Sequence, residues 1–123
     1  MTMAIQFDSL SAEQFNVFQV SQIAPNTFVA GIAGLDFVVI PRNSISEIHR
    51  HNLSDNVIYI IRGSAALLLD GELHQVQPGL RVVIPRKVSH GFRTGAEQLE
   101  FVSIQIPPIL AQQQGVFDRD IVG

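Results

Sequence analysis

The feature that most constrains this chain is a succession of short apolar runs, each closed by a turn signal. Thr27 to Ala33, Leu35 to Ile40, Val57 to Ile61, Ala65 to Leu69, Arg81 to Ile84 and Leu99 to Ile106 are such runs, most of them rich in β-branched residues. Between them stand Pro25-Asn26, Gly34, Pro41-Arg42-Asn43, Asp70-Gly71 and Pro78-Gly79. Branched side chains fit a pleated strand, and Gly, Pro, Asn and Asp supply the turn conformations that strands avoid. Asp70-Gly71 predicts a tight hairpin joining Ala65–Leu69 to Glu72–Val76. Many short strands at regular spacing predict an all-β sandwich or barrel.

Helical patterning is scarce. Ser11 to Phe18 opens with a plausible cap, Ser11-Ala12-Glu13-Gln14, and predicts one short helix, although Asn16-Val17-Phe18 can equally enter a strand. Ile109 to Gln114, after Pro107-Pro108, predicts a single helical turn. Val57–Ile61 lacks polar alternation, which predicts burial on both faces. In a chain of 123 residues that points to a second sheet or to another subunit, hence to a homodimer, with the N-terminal segment covering an exposed edge.

Composition sets the remaining bounds. The length fits a single domain over 1–123, with 46% hydrophobic and 15% charged residues, so a real core is available. Cysteine is absent, which excludes disulfides, thiolate metal sites and a cysteine nucleophile. The net charge of −3, without a basic block, argues against a nucleic-acid partner. Met1 to Leu10 lacks the pattern of a signal peptide, and no stretch reaches the length of a membrane span, so a cytoplasmic location without membrane contact is expected.

The chemistry centres on Ile48-His49-Arg50-His51. Successive side chains of a strand point to opposite faces, so this pair puts two imidazoles on one face, roughly 7 Å apart at the backbone. That spacing suits two ligands converging on one metal ion. Glu47 shares their parity. It is a candidate general base or additional ligand, or else a carboxylate at the barrel mouth.

Two blocks resemble the signature of the cupin superfamily. In the first, over 43–63, Asn43, His49, His51, Asn56 and Gly63 match the family's glycine, two histidines, glutamate and closing glycine. In the second, over 79–94, Gly79, Pro85, Lys87, His90 and Thr94 match its glycine, proline, glycine, histidine and asparagine. The resemblance covers about residues 43–94 and implies a double-stranded β-helix, the jelly-roll barrel of two antiparallel sheets. It also implies His90 as a third ligand beside His49 and His51.

Four matched positions depart from the pattern: Asn43, Asn56, Lys87 and Thr94. Asparagine tolerates the left-handed region, while Lys87 implies a local backbone adjustment. Asn56 stands where the family has a further metal ligand, so the ligand set reduces to three neutral imidazoles and the ion keeps its full charge. A one-residue register shift would present Asp55 instead and turn the strand over. His74 is expected on the surface.

Parity adds Phe92, beside His90, as an apolar pocket wall. Gln105 is either a pocket donor or the polar exit of its strand. With Asn56 these form the expected substrate pocket. The implied function is metal-dependent catalysis on a small organic molecule. An oxygenase using Fe2+ is favoured, because three histidines leave positions for substrate and dioxygen. Zn2+, Ni2+ or Cu2+ suit the same ligands. An isomerase, cyclase or lyase, or a non-catalytic ligand-binding protein, are the alternatives.

Overall fold

A computed structural model describes residue 5 and residues 7–24, 32–111 and 116–122. Among the described residues thirteen strands follow one another: β1 (Ala12–Phe15), β2 (Phe18–Gln22), β3 (Gly34–Ile40), β4 (His49–Arg50), β5 (Asp55–Arg62), β6 (Ala65–Leu69), β7 (Glu72–Val76), β8 (Arg81–Ile84), β9 (His90–Thr94), β10 (Leu99–Ile106), β11 (Leu110–Ala111), β12 (Val116–Phe117) and β13 (Asp120–Ile121). They form an antiparallel six-stranded sheet, β1-β2-β3-β10-β5-β8, a five-stranded sheet, β13-β4-β9-β6-β7, and a small β11-β12 pair. No helix occurs among the described residues. The chain is a jelly-roll barrel of two antiparallel sheets.

The core lies between the sheets. Val38, Ile40, Ile58, Ile60, Leu99 and Phe101 face inward from the larger sheet, and Ala65, Leu67, Val76 and Phe92 meet them from the smaller one. Asp70 (φ 47°) and Gly71 (φ 86°) both sit in the left-handed region, as a tight hairpin with the sheet's own twist requires. The four glycine positions of the family pattern share a backbone property. Asn43 (φ 55°), Gly63 (φ 82°), Gly79 (φ 89°) and Lys87 (φ 72°) all have positive φ. Lys87 thus adopts the glycine conformation itself, at a cost of about 1–2 kcal/mol. In that conformation its N–H donates to the His51 carbonyl at 2.6 Å. Thr94 substitutes for asparagine by donating to the Pro41 carbonyl at 2.6 Å and accepting from the Ser44 N–H at 2.9 Å.

Three expectations change. The helix predicted over Ser11 to Phe18 is a hairpin, β1 with β2, turned at Asn16 with φ 53°. Burial decides the outcome: the hairpin seats Phe18 in the core. The helical turn predicted from Ile109 is strand at Leu110–Ala111, paired with Val116–Phe117, while 112–115 lie outside the described residues. Strand β5 is not buried on both faces. Asn56, Ile58 and Ile60 are inward and buried, whereas Tyr59 and Ile61 are exposed.

Of the run predicted over Thr27 to Ala33, residues 27–31 lie outside the described residues, and Ile32 and Ala33 are not strand. His74 is exposed, as its place after the hairpin turn implies. Asp55 turns outward to pair with Arg86 at 3.1 Å, so the shifted register is not adopted.

Candidate metal centre

Strands β4 and β9 are antiparallel neighbours in which His49 pairs directly with His90, and His51 follows β4 on the same face. The three rings form one cluster, with centroids 4.5 Å (His49–His90), 4.9 Å (His49–His51) and 5.1 Å (His51–His90) apart. One ligand nitrogen from each lies within 4.8 Å of the others. All three residues are buried, with Phe18 edge-on to His49 at 5.5 Å.

Burial keeps the rings neutral. It pushes His49 down to about 2, with His90, His51 and the Arg119 cation adding to the effect. His90 falls to about 4, again chiefly by burial and then through His51, partly offset by its bond to the Val88 carbonyl. His51 is lowered by burial against an opposing pull from Asp118. Uncharged imidazoles keep their lone pairs for a metal.

Backbone anchors select which nitrogen is offered. Nδ1 of His51 lies 2.6 Å from the Asp118 carbonyl, and Nδ1 of His90 lies 3.1 Å from the Val88 carbonyl. A carbonyl only accepts, so each Nδ1 carries the proton and each Nε2 is left as a ligand. Asp118 also accepts from the N–H groups of Asn52 (2.8 Å) and Leu53 (2.9 Å), fixing the turn that leaves His51. On the far side of His49, Glu47 Oε1 is 3.7 Å from Nδ1 and 2.8 Å from Nη1 of Arg119. The first distance is too long for a hydrogen bond, so the Arg119 ion pair is what holds the carboxylate.

A cavity of about 620 Å³, open mouth included, spreads from the histidines across the barrel. Phe15, Phe18, Ile58, Ile84, Phe92 and Phe101 give it apolar walls, and Phe92 stacks on Phe101 at 5.2 Å. Asn56, Ser103, Gln105 and Asp36 line it from the larger sheet, where Asp36 pairs with Ser103 and Asn56 with Gln105. Their side chains form one chain of hydrogen bonds. Gln105 Nε2 donates to Asp36 Oδ2 (2.9 Å) and to Ser103 Oγ (2.7 Å), and Ser103 Oγ donates to Asn56 Oδ1 (2.9 Å). Burial pushes the Asp36 carboxyl up from its ordinary value, and the Gln105 bond offsets part of that rise.

The model of the cupin domain family matches residues 36–105. This chain is a cupin. An uncharacterised protein of Methanocaldococcus jannaschii is 28% identical over 85 residues, 68% of each chain. The polyketide cyclase RemF of Streptomyces resistomycificus superposes with a TM-score of 0.74 at 24% identity, covering 86% of this cupin and 80% of RemF. Streptomyces PAC13, a nucleoside dehydratase, superposes with a TM-score of 0.76 at 14% identity, over 98% of this cupin and 92% of that chain. At these identities the two structures are evidence of shared fold alone.

Of the residues nominated from the sequence, His49, His51 and His90 meet in one cluster, and Asn56, Phe92 and Gln105 line the adjoining cavity. Gln105 is thus a pocket group rather than a polar exit. Glu47 is not among the cavity-lining residues and is held by Arg119. Sequence reasoning missed Asp36, Ser103, Asp118 and Arg119 in this cupin. Asp36 had a usable signal, being the one charge in an apolar strand and sharing parity with Val38 and Ile40. Ser103 shares parity with Gln105. The C-terminal pair gave none, since β13 joins β4 across a long stretch of chain.

Proposed function

We propose that this cupin is an enzyme that holds one divalent transition metal with His49, His51 and His90. It acts on a small, mostly apolar organic molecule, catalysing cyclisation, isomerisation or elimination. One observation carries the reading: three buried, neutral imidazoles converge at the wall of an apolar cavity. The donor set fits such an ion, because nitrogen ligands suit zinc, iron, nickel and copper alike.

A bound ion supplies Lewis acidity, drawing electron density from a substrate oxygen and acidifying water beside it. The chain's own residues do the rest. Phe18, Phe92, Phe101 and Ile58 take the substrate out of water. Asn56 and Ser103 offer polar handles on the wall made by the larger sheet. Asn56 adds no carboxylate, so the ligand set stays neutral. Glu47 is read as the partner that holds Arg119 rather than as a base, because it is not among the cavity-lining residues. Two fold neighbours are a polyketide cyclase and a nucleoside dehydratase, activities of the cyclisation and elimination kind.

An iron-dependent oxygenase is the second reading, favoured by the same neutral three-nitrogen set. Turnover of small cyclic ketones and hydroxyketones by zinc-loaded protein under anaerobic conditions, abolished by a chelator, is the expected result. Turnover only with iron and dioxygen would replace this reading with the oxygenase. Binding without turnover under either condition would make the protein a ligand carrier.

A further inference from the structure

Among the described residues Asp36 is the one acidic residue lining the cavity, and it is only 7% exposed. Strand β3 carries it on the inward face with Val38 and Ile40. Its neighbours offer no counter-charge. Strand β2 has no ionisable residue, and the only one on β10, Glu100, has outward parity opposite to Phe101, Ser103 and Gln105. The charged or titratable groups facing it across the cavity are His49, His51, His90 and Arg119. Gln105 holds Oδ2 by a 2.9 Å hydrogen bond.

A second feature concerns access. Beyond the Asp36–Gln105 pair lies a smaller cleft lined by Gln22, Ala24, Gly34, Leu35 and Pro108, and both cavities share Asp36 and Gln105 in their walls. Gly34 makes room for this arrangement, since a Cβ there would collide with Gln105 Oε1. Asp36 therefore touches the apolar chamber on one side and a more polar cleft on the other.

We propose that Asp36 is the proton-transfer residue of this site and that Gln105 is its positioning residue. The inference rests on the reading of the cavity as a catalytic site. In the step assigned to it, the carboxylate takes a proton from a carbon next to a substrate carbonyl. The electron pair of the broken C–H bond becomes a C=C bond, and the carbonyl π pair moves onto oxygen. Asp36, now neutral, returns the proton to carbon in an isomerisation. In an elimination the oxygen pair re-forms the carbonyl, the new C=C bond shifts as a β-hydroxyl leaves with its C–O pair, and Asp36 protonates that hydroxyl to water. While it is neutral within a turnover, Asp36 exchanges its proton with solvent through the smaller cleft. Burial raises the Asp36 pKa, which makes its carboxylate a stronger base than an exposed one.

The test labels aspartate carboxyl carbons with 13C and follows their NMR titration in wild type, Asp36→Asn and Gln105→Leu, with and without zinc. The signal missing from Asp36→Asn should titrate above the exposed aspartates. In Gln105→Leu it should move higher still, since a donor that favours the charged form is gone. Titration with the exposed aspartates, or no movement in Gln105→Leu, overturns the respective role. In parallel, zinc-loaded wild type should exchange the α-hydrogens of 1-indanone in D2O. Asp36→Asn should slow this about 100-fold with unchanged zinc content. Equal rates, or no exchange by zinc-loaded wild type, overturn the proposal. A chain that retains no zinc refutes the metal reading separately, and the titration still decides the state of Asp36.

Discussion

Nδ1 of His51 donates to the backbone carbonyl of Asp118 at 2.6 Å, across 67 residues of chain. The same Asp118 holds the N–H groups of Asn52 and Leu53 with its carboxylate. One residue thereby orients a ring of the histidine cluster and fixes the turn behind it.

Asp118→Ala removes two charge-assisted bonds from a part-buried turn and is expected to cost about 1.5–3 kcal/mol. The backbone acceptor for His51 survives the substitution, but the turn that aims the ring does not. Zinc affinity should fall about 10- to 100-fold. Chelator competition and thermal denaturation on one preparation check both effects. Unchanged affinity would mean that the turn holds without Asp118.

The Asp36 carboxyl carries a raised pKa, so the sign of its linkage is definite. Between its ordinary value of 3.8 and the raised one, the folded chain binds more protons than the unfolded chain. Stability contributed by Asp36 is therefore complete below 3.8 and lost as pH rises through the folded pKa. Asn cannot ionise. Asp36→Asn should raise the melting temperature relative to wild type at neutral pH, and the gain should shrink in acid. A gain independent of pH would contradict the sign.

Much of the fold was legible because burial enforces alternation. The bounds of β6, β7, β8 and β10 follow from apolar runs and turn residues alone. The first hairpin misleads, since Ser11-Ala12-Glu13-Gln14 imitates a helix cap and its turn uses Asn16 in place of a glycine. Half of the site was legible for a similar local reason: H-x-H spacing puts His49 and His51 on one face. The rest is non-local. Nothing near Asp118 or Arg119 in sequence reveals that β13 will lie beside β4, and that pairing alone brings them to the histidines.

Asn56 leaves the ligand set neutral, and Asn56→Glu tests what that neutrality does. The carboxylate would supply a fourth ligand, neutralise one charge and occupy a position otherwise open. Metal should be held at least as tightly, while an activity that needs two open positions falls sharply. Unchanged turnover, alongside a structurally demonstrated carboxylate–metal bond, would refute the role assigned to the open position.

We propose a homodimer formed through the outer face of the larger sheet. Tyr59 (50% exposed), Ile61 (45%), Val83 (57%) and Ile106 (54%) project there from β5, β8 and β10, an apolar surface of the kind that associates. Light scattering should give twice the 13.5 kDa chain mass, and Tyr59→Lys with Val83→Lys should return it to that mass. A wild-type monomer at micromolar concentration would exclude the dimer.

The central claim is that His49, His51 and His90 hold one metal ion, and element-resolved metal analysis tests it most directly. Protein purified without added metal should contain close to one transition-metal ion per chain. His49→Ala, His51→Ala and His90→Ala should each lose most of it, while Asn56→Ala keeps it. A metal-free wild type that also fails to take up zinc, or a His90→Ala variant at full occupancy, would contradict the account.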